Sequence, residues 1–266
     1  MMRMALPVLA LGLAASAALA QSPAAAPVSP DQAILERDLR LFESWFPGAW
    51  DNAEQVFFAE EQGRKVMPRR MHAKVTAEGA RAFTIRAFAG NDFAKPVEER
   101  TATASVDASA GRIRLSAPGC EITWQRQANQ FVGEAKAGSC GSAAVTRFVL
   151  SAEDLWAGDS RMMRAREWSC WMAIPREDRP GTWFSAFNLR ILDQGGEVWV
   201  KTDEATPREI GYRLRQVKWP AGTNQDALTL YVLKKGEARA PGYAWASPDA
   251  TRVGLNLRWV QGSCSR

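Results

Sequence analysis

The chain has 266 residues, with 34 Lys and Arg against 29 Asp and Glu, a formal net charge of +5 that is interspersed and nowhere gathered into a basic run. That dispersion excludes the basic stripe a nucleic-acid-binding surface needs, and past the N-terminus no apolar run of about eighteen residues exists to form a membrane-spanning helix. Four cysteines and a single histidine, without any C-x-x-C pair, exclude a zinc site of the common kind.

The chain opens with one charge, Arg3, then an apolar run from Leu6 to Ala15, then Ala18-Leu19-Ala20. That three-part layout is expected to be a secretory signal over residues 1–20, cleaved near Ala20. The protein is then periplasmic or secreted. Residues 21–30, rich in Ala, Pro and Ser, are expected to be a flexible leader. Ser29-Pro30-Asp31 supplies helix-start chemistry, and Leu35, Leu39, Phe42 and Phe46 fall on one stripe of an amphipathic helix that Pro47-Gly48 ends. This helix is expected to pack against a β structure or plug one end of it.

Downstream the period changes to two. Phe83 and Ile85, Ile113 and Leu115, and Ile122 and Trp124 each alternate with polar neighbours. Similar segments occur at 183–192, 197–202, 210–219 and 227–234, and at the end Val253, Leu255, Leu257 and Trp259 alternate with Arg252, Gly254, Asn256 and Arg258. Ten to twelve short strands with frequent turns predict an all-β antiparallel barrel or sandwich. A charged stretch at 156–164 marks a boundary between a barrel region, 31–164, and a C-terminal β region, 165–266. One enlarged barrel and two β units both fit.

Cys120, Cys140, Cys170 and Cys264 allow three pairings in an oxidising compartment. Cys120–Cys140 and Cys170–Cys264 are favoured: the first ties neighbouring strands, and the second pins the last strand to the middle of the chain. No triad is visible; the lone histidine, His72, sits in the polar run Arg69-Arg70-Met71-His72 and reads as a surface residue. Glu98-Glu99 and Glu153-Asp154 are adjacent, so on strands each pair would split across two faces and could not act as an acid–base couple.

Gly48-Ala49-Trp50 after a short helix resembles the G-x-W of lipocalin-like (calycin) barrels. The resemblance implies that Gly48 and Trp50 close the barrel, with the indole stacked on an arginine of the last strand, for which Arg258 is the candidate. Gly48 through Gln55 is further similar to the G-x-[FW]-x-N-x-x-Q opening of the CpcT/CpeT chromophore lyases. Pro96–Arg100, Gly119–Trp124 and Phe131-Val132-Gly133 followed by Cys140 match three more of that family's elements, in order. Here the family's Pro-Tyr-Arg is Pro96-Val97-Glu98-Glu99-Arg100, without the tyrosine. The resemblance implies a calycin-like β-barrel with an N-terminal helix that binds a bilin, an open-chain tetrapyrrole, and assists its attachment to a cysteine of an acceptor protein. Trp50, Asn52, Gln55 and Arg100 are the ligand-binding residues it implies. No cofactor is implied, and the acceptor thiol belongs to the partner. The competing expectations are a periplasmic binding protein for another small hydrophobic ligand, without catalysis, and an envelope domain with a filled barrel.

Overall fold

The computed structural model describes residues 30–135, 138–140, 146–218 and 225–266. The expected signal segment and leader lie outside these residues, except for residue 30, which opens the first helix. That helix is α1 (Pro30–Trp45), followed by strand β1 (Gly48–Asp51) and a second helix α2 (Ala53–Glu61). Nine strands come next: β2 (Met71–Ala77), β3 (Ala82–Ala89), β4 (Glu98–Asp107), β5 (Arg112–Ala117), β6 (Cys120–Gln127), β7 (Gln130–Ala135), β8 (Arg147–Leu150), β9 (Asp154–Ala157) and β10 (Ser160–Ala165). Each pairs antiparallel with its neighbour, and β1 closes the ring by pairing with both β2 and β10.

The barrel interior is lined with large aromatic and aliphatic side chains. Trp50, Phe83, Trp124 and Phe131 are at most 2% exposed and form one core with Ile113, Leu115 and Leu150. Helix α1 plugs it with the face read from its stripe: Phe42 meets Phe83, Trp124 and Phe131 at ring-centre distances of 5.4–6.5 Å. Gly133 leaves room for this arrangement, since a Cβ there would come within 2.7 Å of the Trp124 indole. A barrel of this size can be filled by side chains or hold one ligand. Here Phe42 of α1 and the rings of Phe83, Trp124 and Phe131 occupy the interior.

The chain continues through β11 (Glu167–Pro175), β12 (Trp183–Leu192), β13 (Gln194–Lys201), β14 (Glu209–Val217), β15 (Ala227–Lys234), β16 (Gly242–Ala246), β17 (Arg252–Leu257) and β18 (Val260–Ser265). They form two four-stranded sheets, β12-β11-β18-β17 and β13-β14-β15-β16, around a second core of Trp168, Met172, Ile174, Tyr212, Leu214 and Leu230. The stretch 156–164 carries the end of β9 and most of β10, the strand that closes the ring with β1, so the barrel runs to Ala165 and the passage to the second unit falls at Arg166, beside the expected division after residue 164.

Both disulfides are formed, Cys120–Cys140 in the barrel and Cys170–Cys264 between facing positions of β11 and β18. Strand β18 had no sequence signature, because Gln261, Gly262 and Ser263 break the apolar alternation. Among the described residues no helix is long and apolar enough to cross a membrane.

Candidate functional site

The residues expected to bind ligand do not converge. Trp50 is wholly buried inside the barrel, its Nε1 donating to the Phe46 carbonyl at 3.1 Å. Asn52 is buried in a turn: its Nδ2 donates to the Arg69 carbonyl at 2.7 Å and its Oδ1 accepts from the Met71 amide at 2.8 Å. Arg100 stands on β4 and pairs with Glu98 two residues away. Only Gln55 reaches a concavity, and both ends of its amide are held by backbone: Nε2 donates to Asp159 O at 2.6 Å, and Oε1 accepts from the Arg161 amide at 3.0 Å. Its role is to tie α2 to the β9–β10 turn.

The closing arginine is Arg164 on β10, whose guanidinium lies 4.3 Å from the centre of the Trp50 ring. Arg258 is instead exposed in the two-residue turn between β17 and β18, in the other unit. The expectation was set on the last strand of the chain, whereas the strand that closes the barrel beside β1 is β10. Arg164 also donates to the carbonyls of Pro47, at 2.9 Å, and Trp45 and Ala152. Gly48 has φ +142°, and a Cβ there would meet Arg164 Nη1 at 2.6 Å. The glycine, the tryptophan and this arginine are one device that fastens the end of α1 to the barrel rim.

The concavity touched by Gln55 is a groove of about 1180 Å³ on the outside of the barrel. Strand alternation explains its floor: Phe148, Leu150 and Leu155 point into the core, so Val149 and Trp156 point outward, and Val149 faces Trp156 across the ladder. Trp156 in turn faces Arg161, whose guanidinium stacks 4.6 Å from the indole centre. Helix α2 forms one wall through Phe58 and Ala59, and the segment after it adds Val66 and Met67. Phe58, Val66 and Met67 are 46%, 85% and 40% exposed, a run of uncovered apolar surface. Arg64 and Arg147 stand in the same lining, with Asp154 and Asp159 opposing them. The groove thus offers an aromatic floor, apolar walls and a lining in which Arg64, Arg147 and Arg161 stand with Glu54, Asp154 and Asp159.

This hairpin was legible in principle. Trp156-Ala-Gly-Asp-Ser-Arg161 places Gly158, with φ +59°, in a two-residue turn, and two-residue hairpin loops set the outer pair in register. Helix α2 left less trace, since it follows directly on the G-x-W strand and buries only Ala53 and Ala59.

Next to the groove, the second unit meets the barrel through β13 on α2 and β10, and through Glu167 on Lys74 of β2 at 3.7 Å. Asp51 is fully buried there, bonded by the Ala53 amide at 2.9 Å and paired with Arg70 at 2.5 Å. Burial outweighs that pairing and pushes its carboxyl up to about 6. His72 corrects the surface expectation: it is buried between Phe88 and Phe93, ring centres 4.8 and 4.7 Å away, with a nitrogen 3.0 Å from the Gly90 carbonyl. A carbonyl accepts only, so Nδ1 carries the proton. Burial pulls this ring down to about 4.

The two groups bias stability in opposite senses. His72 stays neutral in the fold where the unfolded ring charges, so stability is lost as pH falls from about 6.5 to 4, at up to about 1.4 kcal/mol per pH unit. Asp51 holds its proton longer when folded, so its contribution is lost as pH rises from 3.8 to about 6. His72→Asn keeps a donor toward Gly90 and removes the first slope. Its urea midpoint, relative to the unsubstituted protein, should rise on acidification from pH 6.5 to 4.5. Parallel pH profiles for the two proteins would refute the assignment.

No protein-family model matches the chain, and no curated protein matches it. Among solved structures, the T-type phycobiliprotein lyase CpeT from Prochlorococcus phage P-HM1 is similar at 19% identity, with a TM-score of 0.39, over 47% of this chain and 96% of its own.

Proposed function

We propose that the outer groove binds a flat, largely apolar, anionic molecule of the open-chain tetrapyrrole class and presents it to a partner protein. The observation that carries this reading is the Trp156 indole, stacked by Arg161 at 4.6 Å on the floor of a groove of about 1180 Å³ walled by Phe58, Val66 and Met67. A conjugated ring system stacks on such a floor, and carboxylate side arms meet Arg64, Arg147 and Arg161 at the rim. The groove is open, so a bound ligand stays within reach of a partner's thiol. All four cysteines of this chain are in disulfides, so the thiol for any attachment comes from that partner. The disulfides also favour an exported protein working in an oxidising compartment.

Titration of the purified protein with biliverdin tests this. The expected result is a shifted visible band with saturable binding. Trp156→Ala should weaken it by about tenfold or more, the scale of one lost aromatic stack with its buried area. An unshifted spectrum, or equal affinity for the variant, would remove the proposal. Binding without transfer to an added cysteine-bearing acceptor would leave the carrier reading and remove the lyase reading.

A further inference from the structure

The second unit exposes aromatic rings that neither core uses. Tyr243 and Trp245, on edge strand β16, are 61% and 73% exposed, and Trp199 on β13 is 39% exposed. The registers place them on one face. Tyr243 pairs with Tyr231, Tyr231 with Arg213, and Arg213 with Glu197; Trp199 pairs with Gly211 one step along. Tyr212, Leu214, Leu230 and Val232 point the opposite way and are wholly buried, so the core of this sheet is complete without the outer rings.

The face is built, not merely bare. Glu197 accepts from Trp199 Nε1 at 3.0 Å and from Arg213 Nε at 2.8 Å, fixing an indole and a guanidinium with one carboxylate, while Phe57 of α2 covers the Arg213 side of the face at 5.6 Å and leaves the Trp199 and Tyr243–Trp245 ends open. Gly211 sits in the interior of a central strand, where glycine weakens a sheet. A Cβ there would come within 2.7 Å of the Trp199 ring, so the glycine is the seat on which the indole lies flat. Lys235 stands 5.6 Å from the same ring. The row continues through Tyr231–Tyr243 and Tyr243–Trp245, with ring centres 6.1 and 6.2 Å apart.

We propose that this sheet face is a binding platform for a linear β-linked polysaccharide. A pyranose with equatorial substituents has flat C–H faces that pack on indole and phenol rings, and a girdle of hydroxyls for Glu197 and Lys235. The dimensions favour it over a protein partner. Four strands at about 4.8 Å spacing make a strip about 14 Å wide, a few hundred Å² at most, well below the roughly 800 Å² per partner of a stable protein interface. The centre of the strip also holds an ion pair, whereas protein interface cores are depleted of charge.

The test is calorimetric titration of the full chain with cellohexaose, chitohexaose and, as the α-linked comparison, maltohexaose. One of the two β-linked hexaoses should bind at micromolar to millimolar concentration, and maltohexaose should not. Trp245→Ala should weaken binding by about tenfold. Phe187→Ala removes a ring that is 66% exposed on the other sheet and should leave binding unchanged. Failure of both β-linked sugars to bind, equal binding by Trp245→Ala, or equal binding of maltohexaose overturns the proposal. So does sedimentation showing a dimer that Trp245→Asp splits, which would assign the face to a second copy.

Discussion

Trp50→Ala is expected to lower the stability of the barrel by about 3–5 kcal/mol, the range for removing a fully buried large aromatic side chain. Three losses coincide there. The indole is wholly buried, its Nε1 holds the Phe46 carbonyl, and its face carries the Arg164 guanidinium. Arg164 needs that seat to reach the Trp45 and Pro47 carbonyls at the end of α1. These lie where the chain turns from the plug helix into β1, the strand that closes the ring. Guanidinium denaturation measures the effect. Gly48→Val attacks the same device from the other side, through a positive φ and a collision with Arg164, and should also destabilise strongly. Arg258→Ala should change stability by no more than about 0.5 kcal/mol, as a surface substitution does. A loss under about 1 kcal/mol for Trp50→Ala, smaller than the typical single substitution, would show that the rim is held by something else.

What the sequence disclosed follows from how local each feature is. The α1 stripe was readable because Leu35, Leu39, Phe42 and Phe46 recur at helical spacing, and the structure buries the last three and half-buries Leu35. Strands β12 and β15 are bounded as their alternation predicts, at Trp183–Leu192 and Ala227–Lys234. The disulfide pairing followed from strand proximity. Arg164 was missed because Trp45, Pro47 and Trp50 lie more than a hundred residues away, and nothing local separates it from the other arginines. The groove was missed for a related reason. Its floor lies on outward positions of short strands such as Phe148–Val149–Leu150, where too few residues alternate to establish a face. His72 was misread because Arg69 and Arg70 make its neighbourhood look wet, whereas the burial comes from Phe88 and Phe93 on the far side of a turn.

Replacing both Cys170 and Cys264 by alanine should cost the second unit about 5 kcal/mol, the chain-entropy value for a loop of this length. The two residues are 94 apart in sequence, so in the unfolded chain the bridge confines nearly all of β11 through β18. Alanine is the informative replacement: both sites are at most 2% exposed, and serine would add a buried hydroxyl with its own cost. The bridge of the barrel, Cys120–Cys140, spans only 20 residues, and its removal should cost less, about 3 kcal/mol. The two cores share no buried residue, so the loss should stay local. Contact between the units runs through Arg215, which pairs with Glu54 at 2.7 Å and stacks 4.5 Å from the Phe57 ring, and through Gln194 on the Arg164 carbonyl at 2.9 Å, with no residue of either core taking part. Amide hydrogen exchange should therefore quicken in β11, β17 and β18 of the Cys170/Cys264 variant while β4 to β6 keep their protection. Equal loosening of the barrel strands would mean that the two units fold as one.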